Sequence, residues 1–192
     1  MVRKFQYGMK VSDCESELNF VAYSGDKLCQ LIELDSVIAK RRSSIELIIQ
    51  DVIECHNILD QIPAVEDSPL SGYLYKAFAI TYGKCFSTGN VRGLSLDAKS
   101  VFKGKAELKK QHNSVIDIRN TYIAHADNGM CEQAIVYLAS NGDDHEVFVP
   151  SNKYLMPVGL SLTSLTGLTE HLHSYLLSQV QKLDIKLLQE NA

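Results

Sequence analysis

Three side chains suited to chemistry on an anion stand together in the segment Arg119-Asn120-Thr121-Tyr122-Ile123-Ala124-His125. Histidine, with an ordinary pKa of about 6.5, exchanges protons close to neutral pH. Arginine carries a permanent charge on a planar fork that holds pairs of oxygens, as on a phosphate. Asn120 adds a polar group that can position either partner. Asp127 follows His125 by two residues and can orient its ring, and His112 precedes Arg119 by seven and so shares its helical stripe. Lys105 and Lys109 belong to a basic stretch with Lys99, Lys103 and Lys110, opposed only by Glu107 and Asp117. Each residue also has a plainer role. Arg119 could pair with Asp117 or Asp127, His125 could sit favourably against a helix dipole, the lysines could form a solvated face, and Tyr122 continues an apolar stripe and reads as core.

The segment needs a helix to hold it. Leu108, Val115, Ile118 and Tyr122 recur at steps of seven, three and four, which predicts a helix from Lys105 to about Ala126 stopped by Asp127-Asn128-Gly129. Upstream, Ile38, Ile45, Ile49, Val52 and Leu59 form one stripe within 26–61, ended by Pro63. Ser68-Pro69 begins a second helix, rich in large apolar residues and expected at the centre of the core, that runs to about Phe86. A short helix starts near Ser95 and closes at Gly104. Leu162, Leu165, Leu168, Leu172, Leu176, Val180, Leu183 and Leu187 mark a long last helix over 161–189. Residues 1–24 alternate in places and suggest a small β segment. A β-hairpin is expected over 134–149, with Ser140-Asn141-Gly142-Asp143-Asp144 at its tip. The fold class is therefore mainly α: an antiparallel helical bundle with a small β-hairpin appendage, in a single domain spanning 1–192.

The Arg-Asn pair, the His after a gap of five residues, and a frame of long helices in which an aromatic-rich one ends Tyr82-Gly83-Lys84-Cys85-Phe86 resemble the HEPN superfamily (higher eukaryotes and prokaryotes nucleotide-binding domains). The likeness covers roughly 26–127 and 161–189; the N-terminal piece and the hairpin stand outside it. The resemblance implies a metal-independent endoribonuclease acting in defence or as a toxin. In it the 2′-hydroxyl of RNA is the nucleophile, His125 the general acid or base, Arg119 the phosphate clamp and Asn120 a positioner. Lys105, Lys109, His112 and Asp127 would contact RNA. The products would be a 2′,3′-cyclic phosphate and a 5′-hydroxyl. No cofactor or metal is implied. On an ideal helix Arg119 and His125 stand about 120° and about 9 Å apart, so the resemblance implies a homodimer in which two motif helices build a shared cleft. An antitoxin or regulatory protein would be a further partner. The alternative implied by the same resemblance is a non-catalytic helical module that binds a protein or nucleotide.

Composition narrows the classes further. With 192 residues, 45% of them hydrophobic and 22% charged, the chain can bury a core unaided. A net charge of -4 argues against nucleic-acid binding by bulk charge and leaves only local basic patches. The five cysteines are scattered without a Cys-x-x-Cys pair, which points to reduced thiols, no zinc site and a cytoplasmic setting. No apolar run has the length of a membrane span or a signal peptide. His171 and His173 face different ways on the last helix, and Asp143, Asp144, His145 and Glu146 read as a solvated turn. No Gly-rich phosphate loop, Ser-His-Asp arrangement or carboxylate pair is present.

Overall fold

A computed structural model of the chain describes residues 6–11, 18–89, 93–120, 132–141, 144–153 and 161–191. Four helices make the bundle: α1 (Val37–Gln61), α2 (Pro69–Lys84), α4 (Ala106–Ile118) and α5 (Leu162–Glu190), with a short α3 (Ala98–Val101) between α2 and α4. Their starts are written in local chemistry. Ser36, Ser68, Asp97 and Ser161 each accept a backbone N–H of the first turn of α1, α2, α3 and α5, respectively, an interaction worth about 1 kcal/mol per helix. Pro69 supplies the preset φ of α2's first turn. Gly104, at φ 74°, makes the left-handed turn that ends α3 and releases the chain into α4.

α1 packs against α2 on one side and α5 on the other, and α4 closes the bundle against α2 and α5. The core is the meeting of three stripes: Ile45, Ile48, Ile49, Val52, Cys55 and Leu59 of α1; Tyr75, Phe78, Ala79 and Tyr82 of α2; Leu165, Leu168, Leu172 and Leu176 of α5. Val115 of α4 joins them. Arg42 ties α1 to α5 by donating from Nε to Asp184 at 2.9 Å, and also holds Glu46.

Two small β pieces accompany the bundle. β1 (Gln6–Val11), β2 (Leu18–Ser24) and β3 (Lys27–Cys29) form an antiparallel meander. The helical pattern expected from residue 26 thus starts eleven residues later, because 27–29 continue the sheet and Ser36 supplies the cap. The second piece is a longer ribbon than the expected 134–149 hairpin. β4 (Glu132–Ala134) pairs with β7 (Ser151–Lys153), and β5 (Tyr137–Ser140) with β6 (His145–Phe148). Both pairs keep one register, and the Ile135 N–H donating to the Pro150 carbonyl at 3.2 Å spans the break between them. Among the described residues, no helix is long and apolar enough to cross a membrane.

Candidate functional site

α4 carries the first half of the motif to the C-terminal end of α2. Its α-helical ladder ends at Ile118, and Arg119 and Asn120 are wound as π-helix. Short π-turns concentrate at functional positions. Thr121 to Cys131, and with them His125 and Asp127, lie outside the described residues.

Arg119 is half-buried, and its side chain lies across the bare backbone of Gly83 in α2. A Cβ built on Gly83 would stand 2.6 Å from Nε of Arg119 and would overlap its Cδ. The guanidinium donates from Nη1 to Oδ1 of Asn120 at 2.9 Å. Among the described residues no carboxylate pairs with it, so the ion pair with Asp117 is not formed. Among the described residues the guanidinium is held by packing and by Asn120, not by an opposite charge, and such a planar cationic fork suits an anionic ligand. A glycine inside a helix costs about 1 kcal/mol relative to alanine, and here it makes room for the arginine. Sequence reasoning passed over Gly83, although an interior helical glycine beside large aromatics was a signal of close approach. Gly83→Ala is therefore expected to displace Arg119 while leaving the helix as stable or slightly more so. Urea melts should be unchanged or shifted upward, whereas any activity that depends on Arg119 should fall at least about tenfold.

Lys105, Lys109, His112 and Arg119 share one face of α4, but the structure gives them different surroundings. Lys105 is exposed at the helix start and Lys109 is half-buried. His112 does not line a cleft. It is 5% exposed, its Nδ1 stands 2.9 Å from the Tyr82 hydroxyl, and its ring packs on Phe86 and Phe102 at 4.3 and 5.0 Å between centroids. The stripe shared with Arg119 is real, but it points at α2, so His112 is interior and cannot meet RNA from there. Arg119 lies at the edge of the same contact, where α2 runs out of large side chains.

Burial holds the His112 pKa down, to about 4, with the charge of Lys109 acting in the same direction. Burial, followed by the nearby His173, also lowers that of His56. The folded state therefore favours neutral rings, while the unfolded chain takes up protons below about 6.5. The stability this contributes is complete above pH 6.5 and is lost as pH falls from 6.5 towards 4. Thermal melts should show that slope, and His112→Gln should reduce it.

Two further histidines, His171 and His173, have structural partners. His171 donates from Nε2 to the Val101 carbonyl at 2.9 Å, and His173 meets His56 edge-on at 6.0 Å. Asp144 donates its backbone N–H to Asn141 at 2.8 Å, which closes the ribbon's tip. No cluster of three metal-ligating side chains occurs among the described residues. A cleft of about 340 Å³ between the start of α1 and the end of α5 gathers Arg41, Lys182 and Lys186 around Ile38 and Leu183. Sequence reading had no signal for it, because its cations come from the first and last helices. Compared with known proteins, the chain matches no family model, no curated protein and no solved structure.

Proposed function

We propose that the chain is a metal-independent endoribonuclease of HEPN type that works as a homodimer in the cytoplasm, in defence or as a toxin. The observation that carries the reading is Arg119: a fixed guanidinium on a π-turn, seated on a glycine, with no carboxylate partner among the described residues. In this reading Arg119 neutralises the charge that builds on the scissile phosphate. His125 moves the proton of the 2′-hydroxyl or of the leaving oxygen, and Asn120 holds the guanidinium fork in one orientation. Lys105, about 21 Å from Arg119 along α4, contacts the RNA backbone further on, with Lys109 between them.

A second reading is a non-catalytic module that binds a protein, such as an antitoxin, or a nucleotide. The apolar outer face of α2 favours it. Incubation of the purified chain with structured and unstructured RNA in EDTA separates the two. Cleavage that disappears in Arg119→Ala supports the nuclease, whereas intact RNA in both cases leaves the binding module.

A further inference from the structure

α1 and α5 outrun the rest of the bundle, with 25 and 29 residues against 16 in α2 and 13 in α4. The buried residues of α1 begin at Ile45 and those of α5 end at Leu176. Beyond them the two helices continue as a pair, tied by the Arg42–Asp184 bond. Among the described residues no other helix lines the groove between them, which is the cleft of about 340 Å³. That volume lies at the lower end of the range for small-molecule sites. Half-buried Ile38 and Leu183 make an apolar floor, with the Gln179 amide beside them, and exposed Arg41, Lys182 and Lys186 stand on the rim.

We propose that this cleft binds a small anionic amphiphile, a phosphate monoester on a linear apolar chain, taken up free from solution. The phosphate meets Arg41, Lys182 and Lys186, and the chain covers Ile38 and Leu183. Charge selects this occupant. Among the described residues none of the three cations pairs with a carboxylate. Asp184 is held by Arg42 and Asp35 by Lys40. Lys182 and Lys186 are one turn apart, a spacing at which like charges destabilise a helix. Three such cations around one cleft, in a chain of net charge -4, call for an anion of more than one charge. A phosphate monoester carries nearly two at pH 7, so it answers them more fully than a carboxylate does. Arg41 can hold two of its oxygens and the lysines act as point charges. The lining has no aromatic side chain on which a base could stack, which disfavours RNA. With the cations on the rim and the apolar groups on the floor, a chain lying on the floor has left any bilayer. A lipid still seated in a membrane would offer only its head and leave the floor wet.

This site is independent of the nuclease reading, because α2 and α4, which seat Arg119, contribute nothing to the cleft. The test is isothermal titration of the full chain with decyl phosphate below the concentration at which it forms micelles. Saturable binding is expected, with a Kd on the order of 10 to 100 µM. Shorter alkyl phosphates should bind more weakly, by up to about fourfold per methylene removed, and inorganic phosphate and decanol each at least about tenfold more weakly than decyl phosphate. Lys182→Glu and Lys186→Glu, both at exposed positions, should each cost about tenfold or more with unchanged circular dichroism, because each replaces an attraction with a repulsion. Lys27→Glu, exposed in β3 and away from the cleft, should leave the affinity as it was. The absence of saturable heat would overturn the proposal. Equal affinity for inorganic phosphate would also do so, since the cations would then bind any anion and the floor would play no part. Full affinity in both Lys182→Glu and Lys186→Glu would place the binding elsewhere. Vesicles containing phosphatidic acid that sediment the chain, when free decyl phosphate does not bind, would replace the soluble ligand with a membrane surface.

Discussion

Arg119→Ala is expected to lower RNA cleavage by about 10² to 10³, the loss that follows removal of one group aimed at developing charge. The guanidinium sits at the edge of the α2–α4 contact and has no carboxylate partner among the described residues, so its removal strands no buried charge among them. Thermal melting should therefore change little. His125→Ala should lower cleavage by about 10² to 10⁴, the usual contribution of a positioned acid or base. Gly83→Ala distinguishes a placed arginine from a merely present one, because it leaves the charge and moves it. If melting falls in step with cleavage in Arg119→Ala, the residue is structural and the clamp is lost from the account.

The second large effect is on stability and belongs to His112. His112→Ala removes the Tyr82 hydrogen bond and opens space between Phe86 and Phe102. A net hydrogen bond is worth about 1 kcal/mol and a truncated buried side chain about 2 kcal/mol or more. The sum is a loss of about 3 kcal/mol, or about 6 to 12 °C in Tm for a domain of this size. Tyr82→Phe removes the hydroxyl and leaves the His112 Nδ1 without its partner, at about 1 to 2 kcal/mol. Any loss of cleavage in His112→Ala should track the fraction unfolded and vanish under conditions where the variant is fully folded. Urea melts of the two variants measure these values directly.

The helices were legible because their signals are local. Ser68 and Pro69 start α2, Pro63 interrupts the chain after α1, and single apolar stripes run along α1 and α5. The division of α2 into an inner and an outer face was not legible. A helix rich in apolar residues on all sides has no amphipathic direction to read, so Leu70, Tyr73 and Ile80 looked like core and are exposed. His112 and Arg119 were correctly placed on one stripe. What each meets depends on α2, some thirty residues earlier in the chain, and spacing alone does not distinguish an interior imidazole from one lining a cleft. The Gly83–Arg119 seat likewise joins residues 36 apart in sequence, beyond any periodicity within one helix. The strand at Lys27–Cys29 was missed because Leu28, Leu31 and Ile32 also fit a helical stripe, and only pairing with β2 decides between the two.

The most direct measurement of the central claim is the chemistry of the cut ends. RNA treated with the purified chain in EDTA, then examined by phosphorus NMR and by end-labelling, should carry 2′,3′-cyclic phosphates and 5′-hydroxyls, and Arg119→Ala should yield neither. Products with 3′-hydroxyl ends, or cleavage that requires an added divalent metal, would contradict a mechanism in which RNA supplies its own nucleophile and the chain supplies only a clamp and a proton carrier.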